Sequence, residues 1–186
     1  MPRFSSCCPV LVLMLVFSHG VNAGIQNFRG LGDAPGGSFH SSASSVSADG
    51  SVAVGRSVNG AFNQASRWTL ADGMVSIGDL PGGFTASQSF GVSGDGAVVV
   101  GVGNSNTGDE AFRWTSGGGM VGLGDLSGGA IKSHAWGVSA DGSTVIGESE
   151  SGLGTEAFRW TAGGGMVGLG DLSGGAFNSQ AADISA

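Results

Sequence analysis

The chain has 186 residues, 38 of them Gly, with 11% charged and 40% hydrophobic residues. Glycine at about three times ordinary usage, without a Gly-X-Y period, excludes collagen, and the apolar fraction is too high for a disordered chain, so the glycine serves turns. A formal net charge of −7 disfavours nucleic acid and anionic lipid as partners, since both need a basic face.

The chain opens with Arg3 near the amino terminus, an apolar run from Pro9 to Phe17, and the small-residue ending Val21-Asn22-Ala23. That order reads residues 1–23 as a secretory signal peptide, cleaved after Ala23. The run is about half the length that crosses a bilayer and no second run follows, so no membrane span is expected in the mature chain. Cys7 and Cys8 precede the apolar run, whereas a lipid-modified cysteine would follow it. Cleavage removes both cysteines and Arg3, leaving six Lys or Arg against fourteen Asp or Glu, a net charge of −8. Stability then rests on packing and strand pairing without disulfides.

Leu31-Gly32-Asp33 returns as Ile77-Gly78-Asp79, Leu123-Gly124-Asp125 and Leu169-Gly170-Asp171, each time 46 residues later. The same step carries Val46-Ser47-Ala48-Asp49-Gly50 to Val92-Ser93-Gly94-Asp95-Gly96 and Val138-Ser139-Ala140-Asp141-Gly142, and Arg67-Trp68-Thr69 to Arg113-Trp114-Thr115 and Arg159-Trp160-Thr161. In the third copy an extended first strand near Ser133–Ser139 meets an Asp-Gly hairpin signal. Ser143–Gly147 follows as the second strand. Its counterparts Val52-Ala53-Val54 and Val98-Val99-Val100 are apolar at successive positions, which puts them between neighbouring sheets. Ala157–Thr161 is the third strand, with Phe158 and Trp160 on one face and Arg159 on the other. Met166–Gly170 is the fourth. The pairs Gly36-Gly37, Gly82-Gly83, Gly128-Gly129 and Gly174-Gly175 lead back to the next first strand, and no segment has a helical period.

These elements predict an all-β fold: a β-propeller-like array of four-stranded antiparallel blades with a 46-residue repeat. The alternative is a β-solenoid with two shorter coils per repeat. Residues 24–37 read as a lone fourth strand of a preceding or closing blade with its connecting turn. Residues 38–83, 84–129 and 130–175 are repeats 1 to 3, and 176–186 the start of a truncated repeat 4. Three full units against the roughly four to eight blades of propellers predict an incomplete ring and a fragment. Its open edges would make it prone to self-association, with 176–186 the least ordered part of the mature chain.

The run from Val138-Ser139-Ala140-Asp141-Gly142 through Glu156-Ala157-Phe158-Arg159-Trp160-Thr161 to Gly168-Leu169-Gly170-Asp171-Leu172 resembles the HAF family of bacterial extracellular repeat proteins. The likeness spans essentially the whole chain after residue 23. It implies an exported surface repeat protein and brings no biochemical activity with it. Where that family has His-Ala-Phe, this chain has Glu110-Ala111-Phe112, Glu156-Ala157-Phe158 and Gln64-Ala65-Ser66, so no role for that histidine carries over. Over its short length, the Ser-x-Asp-Gly turn is also similar to that of TolB-related propellers.

Catalysis needs a constellation built once, while recurring residues serve packing. His40 and His134, the histidines left after cleavage, occupy different offsets and name no catalytic set. Asn104-Ser105-Asn106-Thr107-Gly108-Asp109-Glu110 has alternating oxygen ligands, somewhat like a calcium loop, but lacks the terminal bidentate carboxylate and is unmatched in the sister loops, so a solvated turn is expected. Gly117-Gly118-Gly119 has neither the Lys nor the helix of a phosphate cradle. One structural ion pair per unit is expected for Arg67, Arg113 and Arg159, either with Asp79, Asp125 and Asp171 or with Asp49, Asp95 and Asp141. Trp68, Trp114 and Trp160 read as core anchors. Trp136, matched by Ser44, Phe90 and Ala182, is the candidate for an exposed aromatic contact, with core packing as the alternative. No catalytic, cofactor-binding or metal residue is assigned and no cofactor is implied. The function expected is an exported extracellular or cell-surface binding and structural scaffold for a protein or surface carbohydrate, not an enzyme. The alternative is a propeller-type hydrolase of extracellular glycans or peptides whose site residues lie in missing repeats.

Overall fold

The computed structural model describes residues 30–185. By its contacts the chain separates into Met1–Gly30 and Leu31–Ala186, and the fold is that of the second unit. The signal peptide read at 1–23 and the start of the strand read at 28–32 lie outside the described residues. Gly30–Gly32 are not in a strand.

Valine-rich, Thr-rich and aromatic runs broken by Gly-containing turns favour the pleated conformation, and the described residues hold strands and no helix. Ser41–Val46 (β1), Val52–Asn59 (β2), Phe62–Thr69 (β3) and Gly73–Ser76 (β4) form one antiparallel meander in the order β1-β2-β3-β4. A second comprises Gly82–Val92 (β5), Val98–Ser105 (β6), Asp109–Thr115 (β7) and Gly119–Gly122 (β8). The third comprises Gly128–Val138 (β9), Thr144–Ser151 (β10), Gly154–Thr161 (β11) and Gly165–Gly168 (β12). These last two join where Asp109 of β7 pairs with Lys132 of β9 in parallel. That single pair, matched by an isolated parallel bridge from Thr155 to Asn178, is all the parallel pairing among the described residues. Continuous ladders of the solenoid kind are absent there, and no sheet closes into a barrel.

The first strands reach further back than the sequence indicates, because Gly82-Gly83 and Gly128-Gly129 open β5 and β9 instead of leading to them. Lacking side chains, Gly83 and Gly129 lie against the backbone of Asn104 and Glu150, where a Cβ would collide.

The core lies between meanders. Val52, Val54, Ala65 and Leu80 pack on Val99 and Phe112, while Val98, Val100 and Ala111 pack on Val138, Val145 and Phe158. Strand β6 is therefore apolar on both faces because it is covered on both. The ring anchors differ from the sequence expectation. Phe112 and Phe158 are fully buried, whereas Trp68, Trp114 and Trp160 are only half-buried at the core margin. Each Phe pairs across its strand neighbours with two glycines, Gly101 and Gly122 or Gly147 and Gly168; the ring takes the space beside Gly101 or Gly147, and the carboxylate of Glu110 or Glu156 takes that beside Gly122 or Gly168.

Successive meanders are also joined by polar groups. Ser87 Oγ accepts the Ala65 N–H at 3.0 Å and donates to the Gly78 carbonyl at 2.8 Å. Ser133 does the same for Ala111 and Gly124, and Ser179 for Ala157 and Gly170. The Asp-Gly turns form a chain of their own: Ala48 N–H donates to Gly94 O at 3.0 Å, and Gly94 N–H to Ala140 O at 2.9 Å.

Candidate functional site

In all three meanders the pairing of first and second strands slips at one equivalent place, and in the second and third it slips again nearer the start of the first strand. Ala43 faces Gly55 and Ser45 faces Val54; Ser89 faces Gly101 and Gly91 faces Val100; Ala135 faces Gly147 and Gly137 faces Ile146. The extra residue at each bulge is Ser44, Phe90 or Trp136. A bulged residue leaves the ladder and its side chain is re-aimed. The cause is visible in the second strand. A Cβ at Gly55, Gly101 or Gly147 would overlap the carbonyl oxygen of Ser42, Gln88 or His134, so only glycine admits the approach that the bulge requires.

The three bulges line one groove of about 400 Å³, closed at its far side by Asp183 and Ile184. Phe90 and Trp136 meet in it with ring centroids 4.4 Å apart and planes tilted by 37°. The Trp136 Nε1–H is buried without an acceptor, as is the Ser89 hydroxyl beside the second bulge. Such orphans are uncommon in folded proteins and mark places where the fold has been set for something other than stability.

Trp136 also meets His134 with ring centroids 5.4 Å apart and planes at 75°, and His134 lines a second, polar cavity of about 320 Å³ between β9, β10 and residues 178–180. His134 Nδ1 lies 3.1 Å from Glu148 Oε1. Glu150 Oε1 accepts the Thr155 hydroxyl at 3.0 Å and faces Lys132 Nζ at 3.9 Å. Ser133 and Ser149, each 1% exposed, form the floor.

The remaining residues singled out in the sequence have structural partners. His40 is exposed and gives its N–H to Asp33. In the loop resembling a calcium site, Asn104 accepts the Phe84 N–H and donates to Asp109, and Ser105 bonds Thr107, so its oxygens close the hairpin. No group of three or more His, Cys, Asp or Glu able to hold a metal ion occurs among the described residues.

The expected Arg–Asp pairs do not form among the described residues, where the ion pairs are Lys132–Glu150 and His134–Glu148. Asp79 instead accepts the N–H groups of Leu80 and Ala86, and Asp171 those of Leu172 and Asn178, folding each loop onto the incoming strand. Arg113 reaches the Gly142 carbonyl at 3.5 Å, Arg67 Nε is buried without a partner, and Arg159 is exposed. Asp49 and Asp141 are held down to about 2, the first chiefly by the Ser51 N–H and then Ser47, the second chiefly by the Ser139 hydroxyl and then the Ser143 N–H. Asp95 is lowered by Ser93 and Ala97, while burial raises Asp79.

Sequence reasoning missed the bridging Ser87, Ser133 and Ser179 because Ser is abundant, and it missed the bulges. Their signal was a lone glycine inside an apolar strand, Val54-Gly55, Val100-Gly101 and Ile146-Gly147. It also left Glu110 and Glu156 without a role; their carboxylates accept the N–H groups of Gly124 and Gly170 at 3.0 and 2.9 Å. No protein-family model matches the chain, and no curated protein matches it.

Proposed function

We propose that this protein is an exported, extracellular or cell-surface binding scaffold, in which propeller-like blades of 46 residues present a groove that takes a carbohydrate chain. One observation carries the reading. The bulge and the second-strand glycine it packs on, Gly55, Gly101 or Gly147, recur from meander to meander, but the bulged residue itself changes from Ser44 to Phe90 to Trp136. A constant frame that re-aims a variable side chain into a shared groove is how a binding surface is built on repeats. A groove with tilted aromatic rings and Ser44, Ser45 and Asp183 in its lining suits sugar rings, whose C–H faces stack on aromatics while their hydroxyls reach polar atoms. The Arg3, Pro9–Phe17 and Ala23 pattern supports export.

The test is oligosaccharide binding by the secreted, mature protein. Trp136→Ala is expected to weaken it at least about tenfold, which is about 1.4 kcal/mol, with a cooperative melting transition retained. Turnover of a glycan, abolished by one carboxylate substitution, would replace the scaffold by a hydrolase. Binding to proteins alone would replace the ligand class.

A further inference from the structure

We propose that the polar cavity beside Trp136 is a subsite for a neutral sugar ring, which it holds by a vicinal diol at Glu148 and Glu150. This rests on the carbohydrate reading of the adjoining groove and names what its polar end selects.

Non-recurrence is the first support. The positions of Lys132, His134, Glu148 and Glu150 hold Ala86, Gln88, Val102 and Asn104 in the second meander, and His40, Ser42, Arg56 and Val58 in the first. Those meanders fold with the same strand pairing without these charges. Four ionisable side chains thus gather in one cavity of the third meander although the strand pairing common to all three does not require this set.

Bonding within the cavity gives the second support. Among the described residues, every polar contact to the two carboxylates falls on Oε1, which leaves Oε2 of Glu148 and of Glu150 as acceptors. Both glutamates are roughly three-quarters buried at the side chain, at 22% and 28% exposure, and a partly desolvated carboxylate gains most from an added donor.

Ligand chemistry follows from the mixture. Lys132 donates only, Glu148 and Glu150 accept only, and the Asn178 and Gln180 amides at the rim do both. An ammonium ligand would leave Lys132 opposed, and an anion would meet two carboxylates. Hydroxyl groups donate and accept, so two on adjacent ring carbons can donate to the carboxylates while accepting from Lys132 or an amide. The apolar edge of such a ring can continue onto Trp136, which touches His134.

The experiment titrates the ¹⁵N-labelled protein with the methyl glycosides of glucose, galactose and mannose, and with tetrahydropyran-2-methanol, a ring of the same size without a vicinal diol. At least one glycoside is expected to give saturable amide shifts in β9, β10 and residues 178–180, and the diol-free ring none there. E148Q/E150Q, which keeps shape and removes charge, should weaken that binding at least tenfold while its spectrum stays folded. Trp136→Ala should retain the cavity shifts while losing oligosaccharide affinity. If no glycoside shifts the cavity, or the glutamate pair is indifferent, the subsite is refuted even where Trp136-dependent oligosaccharide binding persists. Loss of Trp136 dependence with cavity shifts intact would instead refute the groove.

Discussion

Phe158 pairs with Gly147 on one side and Gly168 on the other, and its ring occupies the volume that Gly147 leaves open. Trp160, two residues on, pairs with Val145 and Met166, which have their own bulk, and stays half-buried. Recurrence alone points at the tryptophans, because they stand in all three units while the phenylalanine is replaced by Ser66 in the first. Cross-strand context reverses the ranking. Phe158→Ala is expected to cost about 3–5 kcal/mol, since a fully buried ring flanked by glycines leaves a cavity that cannot collapse. Trp160→Ala should cost about 1–2 kcal/mol, as a partly buried ring loses less apolar area. Urea unfolding midpoints compare them directly, and a larger loss for Trp160 would return the anchor to the tryptophans.

At the scale of the strand and turn, the Ser-x-Asp-Gly hairpin was legible because its chemistry is local. The Asp carboxylate accepts from the Ser hydroxyl two residues back and from the N–H two residues on, and Gly50, Gly96 and Gly142 take the positive φ that closes the turn. Those bonds favour the ionised carboxylate, so Asp49, Asp95 and Asp141 have folded-state values below the ordinary 3.8. A depressed acid contributes stability that is present above its unfolded value and is lost as pH falls through its folded value. The melting temperature should therefore drop as pH falls from about 4 to about 2, the value held by Asp49 and Asp141. Replacing the three aspartates by Asn should lower stability at neutral pH and flatten that slope. Half-buried Asp79 acts with the opposite sign, its protonated form being favoured by the fold. A wild-type profile that is level across the window would show that these hydrogen bonds survive in the unfolded chain. The bulges were harder to read, because they depend on a glycine in one strand meeting a carbonyl of another, a long-range event that one strand's alternation does not display.

For the molecule as a whole, strand count and hairpin order could be read from the 46-residue step, as could the double-sided cover of β6. The groove could not, since Ser44, Phe90 and Trp136 come together only when the meanders stack. The stacking is directional. Along the row of Asp-Gly turns, Ala48 gives a proton to Gly94 and Gly94 gives one to Ala140, so each meander presents a donor to the unit after it and an acceptor to the unit before it. Such a row behaves like a vector: two donor faces cannot satisfy each other, and neither can two acceptor faces. Contacts between copies through these faces are consequently head-to-tail, the arrangement that closes into rings or runs on as filaments and cannot give a two-fold dimer. Sedimentation of concentrated protein should show mass rising in series with concentration, and an association that halts at a symmetric pair would locate the contact on another surface. The backbone thus carries an arrow through the array, set by single N–H groups in its tightest turns.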